Sequence, residues 1–307
     1  MAYLKLLRPH QWVKNVFVFA GLVFGRKLFE GDAVIASLLG FVLLSLTSSA
    51  VYVFNDIHDR EEDRLHPRKR NRPVAAGRVS VRDAALLGLT VLVLGLGGSF
   101  LLNRGFFLVV LSYLILQILY TLLLKHMVIL DVIAIGIGFV LRAVAGAVLV
   151  QVPISHWLVI CTFTLCLFMG FSKRRCELNV LSEAGAAQAG KHRKTLQAYT
   201  SDLLNQMTTL TAGIAVISFM LYATDKRTMD ELGTAQPVLV YTLPLVVYAI
   251  FRFALLVEHG RVDGPTDVLL RDRPFQVAMV LWAGLAMILV YQGQKIESWL
   301  SRLAAPS

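Results

Sequence analysis

AVIASLLGFVLLSLTSSAVYVFNDIHDREED, residues 33–63, decides the fold. Its first 22 residues carry no charge. That is the length an α-helix needs to cross the hydrocarbon of a bilayer, about 20 residues. The next nine residues then hold five acidic side chains, Asp56, Asp59, Glu61, Glu62 and Asp63. A helix that leaves the membrane on a run of carboxylates is an unusual object, because charge is expensive at that depth and needs a partner.

The rest of the chain follows the same pattern. It has 307 residues, of which 56% are hydrophobic and 16% charged, where an ordinary soluble domain carries about 25% charged residues. The mean hydropathy is +0.65. Further apolar stretches at 13–29, 83–102, 106–124, 128–150, 155–172, 207–223, 237–257 and 275–292 bring the expected count to about nine spans. The expected fold is all-α, a polytopic membrane bundle forming one domain over residues 1–307. Only helices satisfy their own backbone in lipid over such lengths. Arg26 and Lys27 follow the first stretch and no small-residue cleavage site does, so it is not expected to be a cleaved signal.

Lys and Arg outnumber Asp and Glu by 30 to 20, a formal net charge of +10. With the N-terminus inside, 22 of these cations fall in inner loops, seven in outer loops, and Arg142 within a span. The positive-inside rule therefore predicts N-in, C-out. The excess charge belongs to cytoplasmic loops and anionic lipid or substrate, and no nucleic-acid partner is expected. The two longest loops, 55–82 and 173–206, share the inner side and are expected to cap a site there. Cys161, Cys166 and Cys176 have no paired spacing, so neither a disulfide framework nor a thiolate metal site is expected.

At about 100° per residue, Asn55, Asp56, Asp59 and Asp63 fall within roughly a 100° arc of one continuous helix. Carboxylates so close repel one another unless a cation neutralises them. Hard oxygen donors with open water positions suit Mg2+ bridging a diphosphate. A solvated helix end whose acids pair with nearby arginines is the alternative. Arg68, Lys69, Arg70 and Arg72 follow within RLHPRKRNRPVAAG, residues 64–77. Cations for phosphate oxygens beside acids for a metal form the combination a diphosphate site needs.

The N-D-x-x-D-x-x-x-D pattern at the end of the second helix resembles the UbiA superfamily of intramembrane prenyltransferases. LRPHQWVKN (7–15), NDIHDREEDRLHPRKRNRPVAAG (55–77), GFSKRRCEL (170–178) and RDRPFQ (271–276) resemble one branch, the decaprenyl-phosphate phosphoribosyltransferases. The resemblance implies transfer of 5-phosphoribose from phosphoribosyl pyrophosphate to a polyprenyl phosphate, Mg2+ dependence, and a role in supplying arabinan precursors for a bacterial cell wall. It implies a multi-pass protein of the bacterial plasma membrane with its active site on the cytoplasmic side. In that frame Asn55, Asp56, Asp59 and Asp63 hold Mg2+, and Arg68, Lys69, Arg72, Lys173, Arg174 and Arg142 hold phosphate. Lys14 orients the lipid phosphate, and Asn15 the sugar or a metal-bound water. Asp56, Asp59, Asp63 and Lys14 are the expected catalytic group.

The second long loop departs from the superfamily's usual second Asp-rich motif. It begins with Lys173, Arg174, Arg175 and Glu177, and later presents Tyr199, Asp202 and Gln206 at i, i+3, i+7, expected on one helical face. With one carboxylate among those three, this half is expected to bind substrate phosphate rather than metal. That weighs against the rival enzyme, an aromatic prenyltransferase using a prenyl diphosphate donor. A second rival is a non-enzymatic transporter, but no internal repeat is visible. Arg142, mid-span, is expected to face the bundle interior and meet an acid or a phosphate, or else helix carbonyls. Membrane lipids are expected neighbours, and a homo-oligomer is compatible with the sequence.

Overall fold

The computed structural model describes residues 2–65, 69–183, 198–259, 268 and 271–304. Arg68 therefore lies outside the described residues, as do Arg193 and Lys194. Among the described residues every regular element is a helix and there is no strand. Their contacts divide into two compact units, one ending at Ser155 and the other beginning at His156.

The first unit opens with α1 (Ala2–Leu7), a 3-10 segment (Pro9–Phe19) and the short α2 (Ala20–Phe24). It continues through α3 (Gly31–His58), α4 (Arg60–Leu65), α5 (Val81–Leu102), α6 (Arg104–Leu122) and α7 (Leu130–Leu149). Polar caps start the long helices where the sequence offers them. Ser80 Oγ accepts from the Asp83 N–H at 3.0 Å, and Asn103 Oδ1 from the Phe106 N–H at 2.9 Å. Val18, Leu44, Phe106, Val110, Tyr113, Ala145 and Leu149 form its core.

The 3-10 segment and α2 stand where the first of nine spans was expected. Eight helices among the described residues are long and apolar enough to cross a membrane, and this stretch is not one of them. Its packing shows how tightly it is held. A Cβ on Gly21 would sit 2.7 Å from the Cα of Ala147 on α7, so the two backbones touch. Small residues permit that approach, which replaces hydrophobic driving force with close van der Waals contact in lipid.

The second unit holds α8 (His156–Glu183), α9 (Ser201–Thr224), α10 (Lys226–Leu232), α11 (Leu243–Glu258) and α12 (Arg273–Ala304). Phe168, Ala212, Ile250, Phe253, Val268 and Phe275 lie in its core. In both units large apolar side chains such as Leu89, Val93, Leu101, Ile217 and Val280 point outward, as they must where the solvent is lipid. The protein is a multi-pass membrane protein.

Candidate active site

The acidic motif sits where α3 ends. The helix stops at His58, Asp59 takes φ −89° and ψ 9°, and α4 resumes at Arg60. The i→i−4 hydrogen bonds carry across the interruption, from Asp59 N–H to the Asn55 carbonyl (2.9 Å) and from Asp63 N–H to the Asp59 carbonyl (2.8 Å). Direction is thus kept, but the single continuous helix expected through Asp63 is broken at Asp59.

Asp56 and Asp63, two turns apart, face the same way, with side chains 1% and 3% exposed. Both meet Arg72. Its Nη1 lies 2.6 Å from Asp63 Oδ2 and 3.3 Å from Asp56 Oδ1. The loop behind Arg72 explains its placement. Val74, Ala75 and Val79 are buried. The turn closes with Gly77 N–H on the Val74 carbonyl at 3.1 Å, Gly77 taking a positive φ of 70°. A second guanidinium arrives from the N-terminus. Arg8, at a left-handed φ of 52°, donates to Asp56 Oδ1 and lies over the Tyr52 ring at 5.3 Å. Trp12 and Ser49 pin this entry, Trp12 Nε1 donating to Ser49 Oγ (3.0 Å) and Ser49 Oγ to the Leu7 carbonyl (2.8 Å). One oxygen of the group is left over: Asp56 Oδ2 is buried with no hydrogen-bond partner.

Asp59 turns elsewhere. Its Oδ1 accepts from Lys125 Nζ at 2.6 Å and lies 2.8 Å from His58 Nδ1. Burial opposes ionisation of Asp59, but the hydrogen bonds and charges of Lys125 and His58 outweigh it and hold the carboxyl below its ordinary range. Asn55 is engaged too, its Oδ1 accepting from Thr121 Oγ1 at 2.5 Å. Of the four residues expected to share one metal, the structure brings together Asp56 and Asp63. Among the described residues no three His, Cys, Asp or Glu side chains gather closely enough to hold a metal ion.

Deeper in the unit lies a second polar group. Arg142, 5% exposed, donates from Nε to Asn15 Oδ1 (2.8 Å), from Nη1 to the Gly138 carbonyl (2.7 Å) and from Nη2 to Tyr113 OH (2.9 Å). The rings of Tyr113 and Phe139 lie 4.6 and 4.9 Å from the guanidinium carbon. Asn15 in turn donates to Ser45 Oγ at 2.9 Å, and Ser48 Oγ lies 3.3 Å from Tyr113 OH. Arg142 thus faces the interior as expected, and it meets neutral oxygens and aromatic faces. Ser48 precedes Asp56 by eight residues, about 12 Å of helix rise, so this network is separate from the acidic mouth. Lys14 is half-buried beside Asn15, and Lys69 is exposed in the turn before Arg72.

In the second unit, Arg174 is buried and donates to Glu177, while Lys173 Nζ lies 3.9 Å from the same carboxylate. The face expected from Tyr199, Asp202 and Gln206 does not form. Thr200 caps α9, its Oγ1 accepting from the Leu203 N–H at 3.2 Å, so the helix begins after Tyr199. Tyr199 is buried ahead of that cap, whereas Asp202 is exposed in the first turn.

Residues 15–269 match the model of the UbiA prenyltransferase family. The chain belongs to that family. It is an enzyme of the family, similar to decaprenyl-phosphate phosphoribosyltransferases over most of its length. It is 35% identical to that of Mycobacterium tuberculosis over 282 residues, covering 91% of this chain and 90% of the relative. With that of Corynebacterium glutamicum it shares 35% over 293 residues, 94% of this chain and 86% of the relative. The fold is that of a UbiA homologue from Archaeoglobus fulgidus solved bound to GPP and Mg2+, with a TM-score of 0.68, 21% identity and coverage of 95% and 100%.

Sequence reasoning missed Arg8, Lys125, Tyr113 and Ser48. Each pairs with a group 29 to 66 positions away. The available signals were Arg8 within LRPHQWVKN and Lys125 as a cation at the end of an apolar stretch.

Proposed function

We propose that the enzyme transfers 5-phosphoribose from phosphoribosyl pyrophosphate to a polyprenyl phosphate and releases diphosphate. The observation that carries this is the buried carboxylate pair, Asp56 and Asp63, gathered on one guanidinium with Arg8 and Lys125 beside it. Mg2+ commonly binds one or two carboxylates and completes its shell with water and substrate phosphate. The donor set fits: two converging carboxylates, one with an unpartnered buried oxygen. Asp56 and Asp63 would hold the ion, which when bound neutralises charge developing on the leaving diphosphate. Asp59 is proposed to order the same group through Lys125, and Asn55 to fix the helix end through Thr121.

The chain's own residues supply the rest. Arg72, Lys125 and Lys69 present cations to phosphate oxygens. The acceptor is a phosphate, already anionic near neutral pH, so its attack on the ribose carbon needs no general base. Lys14 is proposed to orient that phosphate, and Arg142 to hold Asn15 in place. Lys173 and Arg174 are proposed to bind phosphate. In the cell we place the protein in a bacterial plasma membrane with its acidic mouth on the cytoplasmic side, and its product in the supply of cell-wall arabinan precursors.

The test is an assay of purified protein with labelled phosphoribosyl pyrophosphate, polyprenyl phosphate and Mg2+. Label should move to the lipid, and Asp56→Ala should abolish the transfer while the protein remains monodisperse. Transfer of a prenyl group from prenyl diphosphate to an aromatic acceptor, with no ribose transfer, would overturn the assignment.

A further inference from the structure

This inference rests on reading the acidic mouth as a metal–diphosphate site. The three aspartates there are matched by three cations. Arg8 and Arg72 meet Asp56, Arg72 also meets Asp63, and Lys125 meets Asp59. Counted alone, these six side chains sum to zero charge, and they are partly to fully withdrawn from solvent, from Asp56 at 1% exposed to Arg72 at 26%. Screening is weak in such a place, so charge imbalance is costly.

A divalent ion arriving alone would add two positive charges to a balanced set. It would have to displace a guanidinium from Asp56 and leave that cation beside it without a counter-ion. An ion arriving with diphosphate meets a different balance. The incoming pair is net negative, and each displaced guanidinium finds phosphate oxygens in a geometry it matches with two N–H groups. Asp56 Oδ2, buried and unpartnered, gives the ion a first foothold. Arg8 is built to make such a move. It sits on a one-residue left-handed turn between α1 and the 3-10 segment, and its guanidinium rides on the Tyr52 ring.

We propose that Arg8 and Arg72 are resident counter-ions that keep a free divalent cation off Asp56 and Asp63, and that they transfer to diphosphate oxygens when metal and diphosphate bind together. Arg8 thereby becomes a donor-binding residue, and metal and diphosphate bind cooperatively.

The experiment uses the full chain in detergent, with Mn2+ as the probe and electron paramagnetic resonance as the readout. Mn2+ alone should bind weakly, and inorganic diphosphate should tighten it by a factor within the usual coupling range of about 5 to 150. Linkage requires Mn2+ to tighten diphosphate by the same factor. Arg8→Gln should strengthen binding of Mn2+ alone, weaken diphosphate binding, and shrink the coupling; Arg72→Gln should do the same. Tight binding of Mn2+ alone to the unaltered protein, unchanged by diphosphate, would overturn the counter-ion role and leave the metal site standing. No Mn2+ binding even with diphosphate would overturn both.

Discussion

The best-buried charges of the two units differ in the reach of their partners. In the second unit Arg174 and Lys173 pair with Glu177 on their own helix, three and four residues away. Such pairs form wherever a helix forms, and each contributes a few tenths of a kcal/mol at an exposed position. In the first unit the partners are far apart in sequence, 48 residues for Arg8 and Asp56, 66 for Lys125 and Asp59, and 127 for Arg142 and Asn15. No helix brings these together by itself. The fold holds them, against the desolvation cost of burying charge. Groups kept at such cost in a membrane are the ones to connect with function.

The sharpest way to break that contrast is to neutralise one acid in each unit. Asp63→Asn keeps the shape but removes a charge that Arg72 and a metal both need. Transfer activity should fall by about 10²–10³-fold, the size of loss seen when a preorganised electrostatic group is removed. Glu177→Gln should cost less than about tenfold, since its partners lie on the same helix. Both are read in the labelled-donor assay. Equal losses would erase the distinction between the units.

Stability gives the next contrast. Arg142→Met removes the guanidinium that donates to Asn15 Oδ1, Tyr113 OH and the Gly138 carbonyl. The expected loss is about 1–3 kcal/mol, read as a fall in thermal midpoint in detergent. Arg142→Lys should rescue little of it, because an ammonium cannot reach three acceptors in a planar fork. Full rescue by lysine would show that charge, and not the fork, holds Asn15.

A pH series sharpens the contrast further. The Asp59 carboxyl is held below its ordinary value, so its contribution to stability is present above the unfolded value, about 3.9, and is lost as pH falls through the lower folded value. In Lys125→Met the largest of the opposing influences disappears and burial acts with only His58 against it. The acid-dependent loss of stability should then be smaller than in the unaltered protein, because less separates the folded carboxyl from the unfolded one. Coincident acid profiles would remove Lys125 as the partner that sets Asp59.

How far the sequence could be followed depends on the reach of the interaction. Hydropathy is a local property, and it located the eight long helices; how the 13–29 stretch packs, with its backbone against Ala147, is a tertiary fact. Helical phase placed Asp56 and Asp63 together, because seven residues bring a helix back to nearly the same face. It could not place Asp59, whose direction is chosen by a lysine 66 residues away, at a point where the helix is interrupted. Tyr199 failed for a local reason: Thr200 is a better helix start than Tyr199, and a cap overrides the i, i+3, i+7 spacing. Arg142 was legible as an interior cation but not in its partners, since Asn15 and Tyr113 carry no charge to mark them.

The smallest expected effect is in RDRPFQ. In the second unit Arg252 with Asp272, like Arg175 Nη2 with Glu258 Oε1 at 3.6 Å, is an ion pair that joins different elements. Asp272 precedes α12. Its Oδ1 accepts from the Phe275 N–H at 2.8 Å and from Arg252 Nε at 3.2 Å, and Oδ2 from Arg252 Nη2 at 2.8 Å. The hydrogen bond from Arg252 chiefly, with that from Phe275, holds the carboxyl below its usual range. Asparagine is as good a cap as aspartate, so Asp272→Asn should preserve the helix start and lose only the ion pair, whereas Asp272→Ala should lose the cap as well, about 1 kcal/mol. The ordering in thermal midpoint should be unaltered protein, then Asn, then Ala. Because the folded carboxyl is the more acidic, the gap between unaltered protein and Asn should close as pH drops below about 4. A gap of the same size at pH 3 and pH 7 would mean that the charge of Asp272 contributes nothing and that its place ahead of α12 is purely that of a cap.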